Sequence, residues 1–579
     1  MKFRKLRLGA AVGALGALAA ASAGSAVAQQ SAQPEQLTPS AYKQVTFAPQ
    51  GGSVKQITAA AQMTKDQTAP ARAFTGPTSM LADPDNPRIV VAATADLRDK
   101  QCYLSVSRDG GHTWHFSKNL PTDPAYPFCT NTSASVPMTM VAWGRNGTLY
   151  YAHQAYGEGE GPREGKSSIL LARTTDLGAT WQTTLVDNNR GKTGVVPNDS
   201  GVTGLTVDTS GARDVVSVGF NQSFADAPSD SPLKNPNVSV STSLDGGATF
   251  GPPVDLNAFP RPMFDLAGTP HQLFMTGGFG SPFLYAHDGV LLAVAGPGFA
   301  ASDILPPPPP EAGAGITPGT WYARPMPQLI GRSTDHGKTW TISILGPPIY
   351  AGAGNMTGMG WTAKGGAKGT FVLVYPATPA TSPTTALADI VMQRSTDGGV
   401  TWSSPLAIDD DKPEEQTTSF YPQLAVAPNG RVDVAWQDNR DGVTDFTFNE
   451  RYSYSNDGGV TWAPNVKIND QPIDFNYGVS FNSDIRQPNG VASTNQYAII
   501  GWADTRFAND VTQTQDNFSV AAQFSPLPST KNTVAPKIAA VFGGLIVAGI
   551  ILLVIMQLRR RRDETAPATL KARDSVSTR

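Results

Sequence analysis

From about residue 42 to residue 525 apolar and polar positions alternate in short runs, each cut off by Gly, Pro, Asn or Asp. A period of two puts one set of side chains on each face of an extended strand, so the pattern predicts an all-β fold. The unit is most complete between residues 423 and 469. Gln423–Pro428 is a first strand, Asn429-Gly430 a hairpin turn and Arg431–Gln437 (RVDVAWQ) a second strand. Glu450–Ser455 is a third strand and Asn465–Asn469 a fourth, with the octapeptide SNDGGVTW (455–462) in the turn between them.

That octapeptide occurs six times. The other copies are SRDGGHTW (107–114), TTDLGATW (174–181), SLDGGATF (243–250), STDHGKTW (333–340) and STDGGVTW (395–402). The shared pattern is Ser/Thr, any, Asp, any, Gly, any, Thr, aromatic. A carboxylate at the third position can accept from nearby backbone N–H groups and from the hydroxyls, which locks a tight turn. The glycine permits a positive φ, and the terminal ring is a large apolar anchor that can wedge between sheets.

Four antiparallel strands per unit describe a propeller blade. The repeated aspartates, Asp109, Asp176, Asp245, Asp335, Asp397 and Asp457, are 67, 69, 90, 62 and 60 residues apart, so one unit carries an insertion. Val491–Trp502 and Asn517–Phe524 supply inner strands of a further unit without the repeat, and Tyr42–Ala48 is the candidate for its outer strand. Seven blades over 42–525 give about 69 residues each, so seven is favoured, with six as the alternative.

The octapeptide resembles the Asp-box of sialidase-like (BNR-repeat) β-propellers. The resemblance covers the propeller and implies a carbohydrate-directed protein, by binding or by exo-glycosidase hydrolysis. It implies further that three arginines clamp a carboxylate, that a Tyr–Glu pair is the nucleophile, and that an Asp is the acid/base. Members also carry Phe/Tyr-Arg-Ile-Pro before the first box. Here Pro87-Arg88-Ile89-Val90 has neither the aromatic nor the final proline and reads as the start of a second strand, so no nucleophile is assigned. The alternative is a non-catalytic platform for a surface protein or cell-wall partner.

The two ends place the propeller. Lys2, Arg4, Lys5 and Arg7 precede an apolar run, Leu8–Ala21, and the small residues Ala26-Val27-Ala28. This predicts a signal peptide over 1–28, followed by a polar linker over 29–41. After the propeller (42–525) comes a Pro/Ser-rich stalk, 526–537. Ile538–Leu558 is uncharged and spans roughly 30 Å as a helix, a bilayer core. Arg559–Arg562 follow it and predict a cytoplasmic tail over 559–579. The expected product is a single-pass cell-membrane protein with an extracellular propeller.

A formal net charge of −3 with no basic block outside the ends gives no support for nucleic-acid binding. The cysteines number two, Cys102 and Cys129. In an exported chain they suggest one disulfide, stabilising by roughly 3 kcal/mol, and they do not suit a metal site. Candidate ligand-binding groups come from a second repeat at the end of the second strand: Asp96-x-Arg98, Asp438-x-Arg440 and Asp504-x-Arg506. In a seven-blade ring these belong to neighbouring blades, on the face opposite the boxes. A cluster of guanidinium groups suits a carboxylate ligand, whereas pairing of each Arg with an Asp of the rim is purely structural. The long loops of that face are Ala155–Ser168, Ala300–Arg324 and Pro472–Asp484. No cofactor is expected, although the acidic run from Asp409 to Glu415 offers oxygen ligands for calcium, set against a solvated loop.

Overall fold

A computed structural model describes residues 42–524, apart from stretches in the connections, of which the longer are 65–73, 130–138, 157–166, 189–196, 225–236, 299–324, 379–387 and 478–488. The signal peptide, linker, stalk, membrane segment and tail expected from the sequence lie outside the described residues, as do most of loops 155–168 and 300–324. Among the described residues no helix is long and apolar enough to cross a membrane.

The architecture is an all-β ring of seven four-stranded antiparallel blades. Blade one is Ser79–Ala82, Val90–Asp96, Gln101–Ser107 and His115–Phe116; blade six is Ser419–Val426, Val432–Asp438, Thr447–Ser455 and Val466–Lys467. The strand boundaries expected for blade six therefore hold within a few residues. Between the third and fourth boxes the excess length contains a hairpin, Met263–Leu266 with Thr269–Gln272. It also contains Phe274–Thr276, which joins blades three and four into one continuous sheet.

Ring closure corrects one expectation. The fourth strand of blade seven comes from the N-terminal segment, but it is Val54–Ile57, antiparallel to Asp516–Phe524, and not Tyr42–Ala48. The earlier segment instead caps two other blades: Gln44 bridges to Ala407 of blade five, and Thr46–Phe47 runs parallel to Thr461–Trp462 of blade six. The physical reason is edge chemistry. The outer strands of blades five and six are only two residues long, and unpaired N–H and C=O groups beside them accept a passing strand.

Every box locks its turn in the same way. In blade five, Asp397 Oδ1 accepts from the Ser395 hydroxyl at 2.8 Å and from Val400 N and Thr401 N at 3.1 and 2.9 Å, while the Thr401 hydroxyl donates to Oδ2. Ser395 Oγ in turn accepts from Gly399 N at 2.8 Å. Gly399 sits at φ 79°, and a Cβ there would come within 2.9 Å of Leu292 in blade four, so side-chain absence is needed twice over. At the preceding, variable position Leu177 and His336 also take positive φ, 57° and 63°, a conformation their side chains resist.

The box rings then seal the seams. Trp462 is fully buried with Val374, Ile390 and Met392 of blade five. Trp340 packs on Val238, Val240 and Leu256 beside blade three, and Trp114 packs on Met63, Ile499 and Ala521 at blade seven. The core is accordingly a circle of clusters, one at each blade-to-blade seam.

Two outcomes follow from the turn and the closure. Asp397→Ala should lower the unfolding free energy by about 1–3 kcal/mol through lost hydrogen bonds. Burial pushes the Asp397 pKa up, but the bonds from Thr401 and Ser395 outweigh it and hold it at about 2. A depressed folded-state pKa stabilises above the unfolded value of about 3.9. Denaturant titrations of wild type and variant should therefore differ fully above about pH 4 and converge as the pH falls through about 2. Deleting residues 42–62 should lower the thermal midpoint sharply, because it strips the outer edges of three blades; an unchanged midpoint would refute the closure.

Candidate functional site

Strand direction alternates within a blade, so the first-to-second turns lie on the same face as the boxes. Direct contacts show this: Arg88 O accepts from Gly110 N of the box at 2.9 Å. The second-to-third turns and the blade-to-blade connections form the opposite face, where the three Asp-x-Arg pairs sit.

The arginine of each pair is committed. Arg440 Nε donates to Asp438 at 2.7 Å and its Nη1 to Asp410 at 2.5 Å. Arg506 donates from Nε and Nη2 to Asp504 at 2.9 and 2.8 Å, and from Nη2 to Asp470 at 2.9 Å. Arg98 Nη2 donates to the carbonyls of Thr512 and Gln513 at 2.7 and 3.2 Å. The pattern is one of staples. Asp410 and Asp470 lie in the connections that enter blades six and seven, and Thr512 and Gln513 belong to the blade before Arg98. The aspartates turn inward: Asp96, Asp438 and Asp504 are all buried, and each accepts from the backbone N–H of its arginine partner. The structure thus brings the six residues to one face, with each guanidinium held by groups of its own seam.

Sequence reasoning missed two buried polar groups between blades six and seven. Arg431, 1 % exposed, donates to Asp433 at 2.8 Å and lies 3.8 Å over the Phe524 ring. Asp433 also accepts from the hydroxyls of Tyr452 and Ser493, each at 2.6 Å. Nearby, Glu450 accepts from Gln437 and Asn489, each at 2.8 Å, and burial pushes its pKa well above the usual carboxylate range. The available signal was the charged pair inside RVDVAWQ, where alternation put Arg431 and Asp433 on one face of a strand.

The expected disulfide is formed between Cys102 and Cys129, with Cα atoms 5.8 Å apart. His153, fully buried, approaches the two sulfurs; tied as a disulfide they offer no thiolate to a metal. Burial pulls the His153 pKa down to about 4, so this imidazole is neutral at ordinary pH.

A concavity lies on the ring axis: a cavity of about 590 Å³ walled by the innermost strand of every blade. It reaches the box face at Pro84, Lys364 and Asn429, which sit in or beside first-to-second turns. The walls are strand edges, and their backbone groups are met in part from the preceding blade. Thr206 Oγ accepts from Ala286 N at 2.9 Å, and the Tyr285 hydroxyl oxygen accepts from Trp361 N at 3.0 Å. Aromatic residues along it are Trp143, Phe283, Tyr285 and Trp361, whose side chains pack against the seam clusters, Trp361 stacked on His287 at 3.8 Å. Lys364 is the charged residue among the described lining, and no Asp or Glu is present there. Nothing in the sequence marked this cavity, since backbone edges leave no residue signature.

No family model and no curated protein matches the chain. Among solved structures it is distantly similar to glycan-active propellers. One is an ulvan lyase, at TM-score 0.43 and 10 % identity over 81 % of this chain and 98 % of that one. Another is an α-L-arabinanase of Penicillium chrysogenum in complex with arabinobiose, at 0.36 and 12 % over 69 % and 94 %. A third is the sialidase of Trypanosoma rangeli, at 0.35 and 13 % over 65 % and 52 %. At this distance the likeness carries no statement about what the present chain does.

The staple geometry has a measurable cost. Arg440→Ala should destabilise by about 3 kcal/mol, the low end for uncoupling a buried ion pair, because Arg451 remains 3.3 Å from Asp438. Arg98→Ala, which loses bonds to two carbonyls, should cost about 1–2 kcal/mol. Chemical denaturation of both variants checks the order.

Proposed function

We propose that the protein is a membrane-anchored, extracellular propeller that binds glycans without cleaving them, with the axial cavity as its binding site. One observation carries this reading: the described lining of the cavity has aromatic residues and uncharged hydrogen-bonding groups with a single cation and no carboxylate. Its volume lies within the usual range for small-ligand sites, roughly 300–1,000 Å³. Sugars present apolar C–H faces to rings and hydroxyls to amide and backbone groups, and this wall offers both. Glycoside hydrolysis needs two carboxyl groups about 5–9.5 Å apart across the scissile bond, a pair the described lining does not supply. Lys364 favours anionic sugars, as a point charge that any carboxylate or sulfate can approach. Anchoring rests on the apolar run Ile538–Leu558 and export on Leu8–Ala21.

The test is a glycan array together with a panel of fluorogenic glycosides, using the purified protein. Retention of a subset of glycans, anionic ones foremost, is expected without turnover. Lys364→Ala should weaken that binding about tenfold, the value of one charge-assisted hydrogen bond. Turnover of any glycoside would overturn the binding-only reading. An empty array with retained binding to cell-wall or protein preparations would transfer the function to the platform alternative.

A further inference from the structure

We propose that Asp389, Asp409 and Asp411, with the hydroxyl of Thr417, form a calcium site at the seam between blades five and six, on the face opposite the boxes. Asp389 opens the third strand of blade five, Asp389–Ser395; the other three residues belong to the connection into blade six. The site is separate from the axial cavity and independent of the glycan reading.

One oxygen from each carboxylate lies within 4.8 Å of the other two. Oxygens that share one calcium ion at 2.3–2.6 Å must fall within about 5 Å of each other, so the spacing fits a common centre. Asp409 is 1 % exposed and the side chain of Asp411 8 %, which leaves water little part in separating these two charges. Among the described contacts one guanidinium, that of Arg440, is paired with the group. Arg440 Nη2 comes only to 3.8 Å of Asp411, while its other nitrogens hold Asp438 and Asp410. Removing several carboxylates from water with one shared guanidinium is unfavourable, and a divalent ion offsets it.

Thr417 is a second, separate indication. It is 4 % exposed and turned toward Asp411, yet its Oγ makes no hydrogen bond of ordinary geometry. A buried hydroxyl in this state beside Asp411 is a fourth oxygen donor. The donor set is oxygen alone, which selects a hard cation over zinc or copper. Magnesium keeps several waters and demands a near-ideal octahedron, whereas calcium accepts an irregular, largely protein-made cage.

Placement gives the ion a role. The carbonyls of Asp409 and Asp411 accept from Gln44 Nε2 at 3.3 and 3.2 Å, and Ala407 N donates to Lys43 O at 2.9 Å. An ion held here therefore ties blade five, the connection to blade six and the N-terminal segment that closes the ring.

The experiment is calcium titration of the full-length chain, purified in mild detergent and stripped with EDTA, followed by calorimetry and thermal unfolding. One ion per chain is expected, with a dissociation constant near the extracellular range of about 0.1–1 mM, and a thermal midpoint that rises with calcium but not with equal magnesium. Asp389→Asn should abolish both uptake and the rise, while its midpoint in EDTA stays at or above that of wild type because repulsion is relieved. Thr417→Val, which leaves the charges in place, should weaken binding about tenfold. No uptake by wild type at millimolar calcium overturns the proposal. So does a thermal response that both variants retain in full.

Discussion

The ring stands on the contact that each box makes with the blade before it. A four-stranded blade has two faces and cannot cover either by itself, so its apolar side chains are buried only against neighbours. The box supplies what a seam requires: a ring large enough to fill it and a glycine small enough to let the turn close on the adjacent sheet. The hydrogen bonds around the Asp carboxylate do not cross the seam. They fix the turn so that the ring enters at one angle, and dispersion and burial do the rest. Stability is therefore a sum over seams, and an open ring would leave two blade faces bare.

Blade seven has no box, because the chain leaves its third strand at Phe524 and the fourth strand arrives from the other end of the sequence. The seam between blades six and seven is correspondingly different in chemistry. Arg431 sits where apolar contact alone would suffice, covering the Phe524 ring and tied to Asp433, to Thr494 O and to Tyr497 O. Such a group gains little over a well-packed apolar substitute. It does fix direction, since guanidinium bonds are satisfied in one register only. At the joint where the two ends of the chain must find each other, directionality has a use that oily contact does not provide.

The boxes could be read from the sequence because their chemistry is local: donor, acceptor and glycine fall within eight residues, and no distant partner enters. The blade count followed from their spacing and from strand-like residues after the last copy. Closure was less legible. Tyr42–Ala48 and Val54–Ile57 have similar short alternation, and what separates them is which blade edges stand open, a property of strands more than 350 residues away. The Asp-x-Arg repeat was visible for the same reason as the boxes, but the partners of its arginines, Asp410, Asp470 and the carbonyls of Thr512 and Gln513, come from other segments. The axial cavity left no trace, because its wall is made by backbone edges.

The face that carries the boxes was expected to be scaffold, with function opposite. The cavity complicates that division. Lys364 occupies the first-to-second turn of blade five, and the next box supports this turn from behind: a Cβ at Gly365 would lie 2.9 Å from Asp457 O, and one at Gly458 would lie 2.6 Å from Lys364 O. The Thr362 hydroxyl also donates across to Gly430 O at 2.8 Å. The turn bearing the cavity's cation is thus set by backbone-to-backbone contact with a structural repeat in the neighbouring blade. Such contact transmits displacement directly, since interiors packed at this density do not absorb it. Scaffold and candidate site are coupled through these glycines, so a change to the sixth box acts on the position of Lys364 as well as on the stability of its own blade.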